Sequence, residues 1–150
     1  MTTIAVELQR LIDKSLPQLK SIEEKYFTYK PSPQKWSKKE IIGHLVDSAQ
    51  SNIRRFVVAQ YEDVPTINYN QEKWVKICNY QQWNSRILTD LWYLLNMQIC
   101  EILKNTSVET AQRKCMTGEL HTLEWLAVDY IKHLRHHMHQ VLELEPVPYP

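Results

Sequence analysis

Two histidines spaced four residues apart carry the clearest chemical signal in the chain. His133 and His137 belong to the segment YIKHLRHHMHQV, which spans 130–141. On an α-helix, a step of four residues turns by about 40° and rises by about 6 Å, so the two imidazoles project side by side. Side chains placed in this way can bind the same divalent metal ion. The spacing therefore indicates half of a metal site.

The hydrophobic pattern of this helix favours a buried position for the pair. His133 and His137 lie on or beside an apolar stripe formed by Leu126, Tyr130, Leu134, Val141 and Leu144. His136 and His139 fall outside the stripe and are expected to be solvated surface residues. Each buried histidine could instead be an ordinary hydrogen-bonded core residue. Two buried imidazoles would then need two separate partners, whereas one ion would satisfy both.

A third candidate ligand, His44, lies in the predicted second helix. Ser37 and Glu40 have the spacing of a capping box, which predicts that the helix begins at that point. His44 then lies about two turns into the helix, on a polar stripe that continues to Arg55. Gly43 costs about 1 kcal/mol relative to alanine in mid-helix, so we expect it to permit close approach of a neighbouring helix or ligand. Alone, His44 could be a core histidine; three histidines match an open, catalytic metal site.

Sequence motifs around these histidines resemble those of a known family. They are WSKKEIIGHLVDSAQSNIRRF at 36–56, VPTINYNQEKW at 64–74 and the later H-x-x-H-H cluster. Over most of its length the chain is similar to the DinB/YfiT-like family of metal-dependent enzymes. The resemblance implies an all-α four-helix bundle, usually a homodimer, in which His44, His133 and His137 hold one divalent metal ion. The chain departs from close relatives at Gly43 and Ala49, where they often have histidines.

The resemblance also implies an activity. Several family members are thiol S-transferases that use low-molecular-weight thiols such as bacillithiol, so we expect a small thiol and an electrophilic co-substrate as partners. Zinc is the expected cofactor, with nickel as the alternative, because three nitrogen ligands suit both ions. Two other functions stay open. The ion could activate water in a hydrolase, or the bundle could store or sense a metal or a small apolar ligand without catalysis.

Further side chains are candidates for the reaction and for substrate binding. Arg55 is expected to bind an anionic part of a substrate, and Asp47 to orient His44 or a neighbouring helix. A structural ion pair is the alternative for both. Ser48 is a candidate substrate-binding residue beside Asp47. Tyr69 and Trp74 lie in a predicted crossover loop that, by resemblance, passes near the mouth of the site, so they are candidate pocket walls.

The helical periodicity predicts how these residues are positioned. Four long helices are expected, at about 4–24 with a kink or break at Pro17, at 37–61, at 83–104, and from 122 to just before Pro146. A long crossover loop over 62–79 should contain a helical turn near 71–76. A short hairpin is expected at 114–120 around Gly118, and the tail at 146–150 is expected to be frayed.

Composition limits the functional classes. A chain of 150 residues with 43% hydrophobic content is expected to form one domain over 1–150. With 18 basic and 17 acidic residues, it lacks the charge pattern of a nucleic-acid-binding protein. Short apolar runs and the absence of a signal-peptide pattern predict a cytoplasmic protein without a membrane partner. The three cysteines are widely spaced, and we expect reduced, mostly buried thiols.

Overall fold

The computed structural model describes residues 1–149 and confirms the all-α bundle. The secondary structure elements follow one another as α1 (Thr2–Lys20), α2 (Glu24–Phe27), α3 (Lys38–Val58), α4 (Gln71–Cys78), a 3-10 turn (Tyr80–Gln82), α5 (Ser85–Lys104), α6 (Val108–Ala111), β1 (Lys114–Met116), β2 (Leu120–Thr122) and α7 (Leu123–Leu142). The four long helices α1, α3, α5 and α7 form the bundle.

The packing order of the long helices brings α3 and α7 side by side. Helix α1 packs on α5 and α7, and α3 packs on the same two helices. Each long helix turns an apolar face inward, represented by Leu8, Leu45, Trp92 and Leu134, which are fully buried. Burial of such side chains stabilises the fold by about 1.5–3 kcal/mol each. Because α3 carries His44 and α7 carries His133, this arrangement can bring their side chains together.

Both of these helices begin close to the predicted residues, and each has a side-chain cap. The Ser37 hydroxyl accepts a hydrogen bond from the Glu40 amide at 3.1 Å, and the Glu40 carboxylate accepts one from the Ser37 amide at 2.8 Å. This is the predicted capping box. At the start of α7, the Thr122 hydroxyl accepts from the Trp125 amide at 3.1 Å. The caps fix where each helix begins and therefore which residues face the core.

Differences from the predicted elements are local. Helix α1 ends at Lys20, earlier than predicted, and Pro17 lies in its last turn without breaking it. A proline at this position removes one helical hydrogen bond and crowds the carbonyl of the residue four positions earlier, and the helix ends three residues after it. The predicted helical turn in the crossover is the full helix α4, which Asn70 caps by accepting from the Lys73 amide. The short hairpin is confirmed, and Gly118 adopts φ +101° in its turn.

Hydrogen bonds fasten the crossover to this hairpin. The Ile67 amide donates to the Met116 carbonyl at 3.0 Å, and the Met116 amide donates to the Pro65 carbonyl at 2.9 Å. Residues 65–67 therefore run beside β1 in a short parallel bridge. This attachment fixes the path of the crossover, so Tyr69 occupies a defined position near α3.

The prediction of a frayed tail is wrong for the tail residues within 1–149. Residues 145–149, which we call the strap, fold back along α7. The Tyr149 hydroxyl donates to Asp129 at 2.9 Å, and His136 Nδ1 contacts the Val147 carbonyl at 2.6 Å. No sequence pattern indicated these contacts, because they depend on the path of an irregular segment. Pro150 lies outside the described residues.

Two composition-based expectations can be compared with the fold. All three cysteines are free thiols, with Cys100 and Cys115 buried and Cys78 half-buried, which agrees with the prediction. None of the helices within 1–149 combines the length and apolar character that a membrane-spanning segment requires.

Candidate metal centre

Three histidine side chains meet between α3 and α7. His44 Nε2 lies 3.0 Å from His133 Nε2. The ring centroid of His137 lies 4.9 Å from that of His44 and 4.6 Å from that of His133. One nitrogen from each ring lies within 4.8 Å of the others. The structure therefore brings together the three predicted metal ligands, which we call the histidine cluster.

The geometry of the histidine cluster fits a divalent ion. Zinc-to-nitrogen bonds of about 2.0–2.1 Å in a tetrahedral site separate two ligand nitrogens by about 3.3 Å, close to the separation between His44 and His133. Within 1–149, no cysteine or carboxylate joins the histidine cluster, and no other trio of such side chains comes together. Three protein ligands leave at least one coordination position open, which is the arrangement of a catalytic site.

The hydrogen bonding of His44 does not resemble that of an ordinary core histidine. Its side chain is 1% exposed, its Nε2 faces another imidazole, and its Nδ1 is buried without a hydrogen-bond partner among the described residues. Buried polar nitrogens normally have partners because desolvation without them is costly. A hydrogen bond between the two neutral Nε2 atoms uses the lone pair of only one ring, whereas an ion between them would bind the lone pairs of both.

Burial keeps the histidine cluster neutral. It lowers the pKa of His44 to about 3, with a further contribution from His137. It lowers the pKa of His133 to about 2, assisted by the other two histidines and by His136. The pKa of His137 is also lowered by burial, although its hydrogen bond to Gln140 opposes this effect. Neutral imidazoles at pH 7 have the free lone pairs that metal binding requires.

A cavity of about 430 Å³ opens beside the histidine cluster. His133 and His137 form part of its wall, whereas His44 lies buried behind them. The remaining wall is mostly polar and comprises Ser48, Asn52, Arg55, Tyr69, Gln71, Leu126, Asp129, Tyr130, His136 and Tyr149. We call this space the site cavity. Its volume can accommodate a small organic molecule next to the open coordination position.

Arg55 lies in the site cavity as a positive charge, and no carboxylate of residues 1–149 forms an ion pair with it. Its Nε and Nη2 donate to the Ile67 carbonyl at 3.2 and 3.1 Å, and its Nη1 makes a longer contact of 3.4 Å with Asn52 Oδ1. The ion pairs within 1–149 involve other basic residues, so the structural ion-pair alternative is not supported for Arg55. Burial lowers its pKa, but an arginine stays protonated. The side chain is therefore suited to binding an anion.

Asp47 is buried, but it does not contact His44 through a hydrogen bond. Its Oδ1 accepts a hydrogen bond of 2.5 Å from the Tyr80 hydroxyl, and its Oδ2 has no partner among residues 1–149. Burial raises the pKa of this carboxyl to about 6, while the bond from Tyr80 opposes the rise. Asp47 was expected to orient His44 or a neighbouring helix, and the contact agrees with the second of these roles and not with the first. Asp47 instead links α3 to the 3-10 turn at Tyr80.

The three candidate substrate-binding residues occupy different positions. Ser48 and Tyr69 both line the site cavity. Trp74 does not line it; its ring packs against Tyr69 with the centroids 5.3 Å apart. Trp74 also belongs to α4 and not to a loop. Trp74 therefore supports the cavity wall from behind, and a direct contact with substrate is expected only from Ser48 and Tyr69.

Sequence reasoning missed several side chains around the histidine cluster. His136 and His139 are not solvated as expected: both are half-buried, and their Nδ1 atoms contact the carbonyls of Val147 and Glu145. Tyr149 covers part of the site cavity, with its ring centroid 5.3 Å from that of His133. The polar residues on this flank of α7 were the only sequence signal for such contacts, and they do not indicate the path of the strap.

Comparisons with known proteins agree with this site. The sequence profile of the DinB superfamily matches residues 7–141. A protein of Halalkalibacterium halodurans, provisionally named a metal-dependent hydrolase, is 26% identical over 121 residues, which cover 79% of this chain and 70% of that protein.

Two solved structures show the same fold. One is YfiT from Bacillus subtilis, described as a candidate metal-dependent hydrolase with an unusual four-helix bundle topology. It has a TM-score of 0.81 and 18% identity, over 93% of this chain and 84% of that one. The other is a mycothiol-dependent maleylpyruvate isomerase with a His-to-Ala substitution. It has a TM-score of 0.77 and 13% identity, over 98% of this chain and 62% of that one. Both likenesses concern the fold.

Proposed function

The chain belongs to the DinB superfamily, and from this premise we propose that it is a metal-dependent transferase acting on a low-molecular-weight thiol. The observation that carries the proposal is the convergence of three neutral imidazoles beside a polar cavity, with no fourth protein ligand within residues 1–149. His44, His133 and His137 would hold the ion through nitrogen. Zinc is the first choice of metal and nickel the second, because three imidazoles suit both.

A divalent ion at this position would lower the pKa of a thiol or water molecule placed at the open coordination position. Residues of the protein would bind and orient the substrates. The site cavity orients the thiol and an electrophilic co-substrate and excludes bulk water. Sulfur then forms a bond to the electrophilic carbon, the bond to the leaving group breaks, and the thiol proton is released to solvent.

The hydrogen bonding of the carboxylates near the site favours a thiol over water as the nucleophile. Water is a weaker acid than a thiol, and hydrolysis usually requires a positioned general base as well as the ion. Asp47 is buried and bonded to Tyr80, and Asp129 Oδ2 is bonded to Tyr149. One oxygen of each carboxylate is therefore already engaged by a tyrosine hydroxyl.

A hydrolase is the second candidate function. Asp129 does line the site cavity, so movement of Tyr149 would expose a carboxylate that could accept a proton from water. The provisional name of the Halalkalibacterium relative and the description of YfiT point in the same direction. The non-catalytic alternative, a bundle that binds a metal or a small ligand, predicts metal binding without turnover.

Arg55 supports an anionic substrate for either reaction. Its guanidinium is held in place by the Ile67 carbonyl, and among residues 1–149 its Nη1 makes only a long contact with Asn52. A carboxylate or another oxyanion in the site cavity would be a stronger acceptor than these neutral groups. We therefore propose that Arg55 binds an acidic group of the thiol or the co-substrate, with Ser48 and Tyr69 as further contacts.

The transferase proposal can be tested with protein stripped of metal and then loaded with zinc or nickel. Conjugation of several small thiols to monochlorobimane should require the ion and should be lost in His44→Ala. Parallel assays with activated esters test the hydrolase. Ester turnover without thiol conjugation would replace the first proposal by the second, and metal binding without either activity would support the non-catalytic alternative. The implied homodimer stays a prediction, which the mass in solution would test.

A further inference from the structure

Side chains on the outer face of α7 form a hydrogen-bonded chain that ends on one ligand of the histidine cluster. His136 Nδ1 lies 2.6 Å from the Val147 carbonyl oxygen. His136 Nε2 lies 3.0 Å from Gln140 Nε2, and Gln140 Oε1 lies 2.9 Å from His137 Nδ1. Three consecutive contacts therefore connect the strap to His137.

The Val147 carbonyl determines which atom donates and which accepts in each of these three contacts. A carbonyl oxygen only accepts, so His136 must carry its proton on Nδ1 to bond Val147. The Nε2 of neutral His136 is then an acceptor, and the amide nitrogen of Gln140 must donate to it. The amide oxygen of Gln140 is left facing His137, whose Nδ1 must carry the proton. The lone pair of His137 consequently lies on Nε2.

This tautomer is the one that metal binding needs. Nδ1 of His137 is occupied by Gln140, so Nε2 is the nitrogen available to the ion. A ligand histidine is usually fixed in this way, by donating its second ring proton to an acceptor outside the metal site. His44 differs, because its Nδ1 is buried without a partner among the described residues.

We propose that Gln140 is a positioning residue for the metal site, and that His136 and the Val147 carbonyl hold its amide in the required orientation. Gln140 contacts His137 and does not line the site cavity. The inference rests on the proposed function in one respect, which is that His137 is a metal ligand. It adds a role for the strap, which takes part in organising the site.

Metal affinity tests the proposal directly. We expect Gln140→Leu, which has no acceptor, to bind zinc about 10–100-fold more weakly in a chelator competition, the range found when such outer contacts are lost. Gln140→Glu keeps an oxygen facing His137 and should stay within a few-fold of the unmodified protein. Gln60→Leu is the matched control, because Gln60 is also exposed and bonds only a backbone carbonyl; it should not change zinc affinity.

A second measurement separates positioning from stability and from the proposed function. In the metal-free protein, long-range proton–nitrogen correlation spectra should show His137 protonated on Nδ1, and in Gln140→Leu a mixture of tautomers. The thermal midpoint should stay unchanged, because Gln140 is exposed. Unchanged zinc affinity in Gln140→Leu, or an Nε2-protonated His137 in the unmodified protein, would overturn the proposal. Failure of the unmodified protein to bind zinc would instead refute the proposed function.

Discussion

The close packing between Gly43 and Tyr80 allows a quantitative prediction. A Cβ atom built on Gly43 would lie 2.1 Å from Tyr80 Cδ2 and 2.2 Å from Tyr80 Cγ, distances that no non-bonded carbon pair tolerates. The sequence predicted a close approach at Gly43 by a helix or a ligand, and the approaching group is this aromatic ring. Gly43→Ala therefore forces Tyr80, which is almost fully buried, out of its position.

Three contributions set the size of the effect. Overpacking a buried contact costs about 1–3 kcal/mol. Displacement of the ring also removes the hydrogen bond from the Tyr80 hydroxyl to the buried Asp47, which costs about 1–3 kcal/mol more. The higher helix propensity of alanine offsets about 1 kcal/mol. We expect Gly43→Ala to lower the free energy of unfolding by about 3 kcal/mol, a fall in Tm of roughly 6–12 °C for a chain of this size.

Thermal and urea unfolding of the metal-free protein, followed by circular dichroism, would measure this loss. The deciding comparison repeats Gly43→Ala in a Tyr80→Ala background, where the ring is absent. There the alanine should be neutral or should stabilise the protein by up to about 1 kcal/mol. An equal loss of stability in both backgrounds would show that contact with Tyr80 is not the reason for glycine at this position.

Three further predictions concern pH, substrate charge and the strap. Because the folded pKa values of His44 and His133 are about 3 and about 2, below the unfolded value of about 6.5, the unfolded chain takes up protons first as the pH falls. Urea unfolding of the metal-free protein should then show that the free energy of unfolding falls below pH 6.5 by about 1.4 kcal/mol per pH unit for each histidine. Burial raises the pKa of Asp47 to about 6, so protonation of this residue in the folded state offsets the contribution of one histidine between about pH 4 and 6. A flat profile would contradict the burial argument. Arg55→Met should raise KM at least about 10-fold for acidic substrates and leave neutral ones unchanged, and an equal effect on both would exclude anion binding. Tyr149→Ala should speed zinc release to excess chelator. Tyr149→Phe keeps the ring over His133 and should therefore release zinc more slowly than Tyr149→Ala. Equal rates in the unmodified protein and in Tyr149→Ala would show that the strap does not cover the site.

The fold and the histidine cluster were predictable because their signals are local. The four-residue spacing of His133 and His137 fixes their common face on a helix, and the Ser37 capping box fixes the turn on which His44 lies. Each signal uses residues close in sequence. The meeting of α3 with α7 was the only long-range step, and the family resemblance supplied it.

The contacts that could not be predicted either join residues far apart in the sequence or involve an irregular segment. Asp47 bonds Tyr80, 33 residues away, and nothing in the pattern of α3 distinguishes this partner from His44. His136 was expected in solvent because its azimuth lies off the apolar stripe, yet the strap returns to cover it. Periodicity describes one helix at a time, so it does not show what an irregular segment will cover.

In the proposed site, His44, His133 and His137 hold one ion and leave a coordination position open. X-ray absorption of the zinc-loaded protein measures the ligands directly. We predict three imidazole nitrogens at about 2.0–2.1 Å with one light exchangeable ligand, and a sulfur at about 2.3 Å after addition of a small thiol. Fewer than three imidazoles, or a fourth protein ligand that thiol does not displace, would show that the three histidines do not form an open metal site.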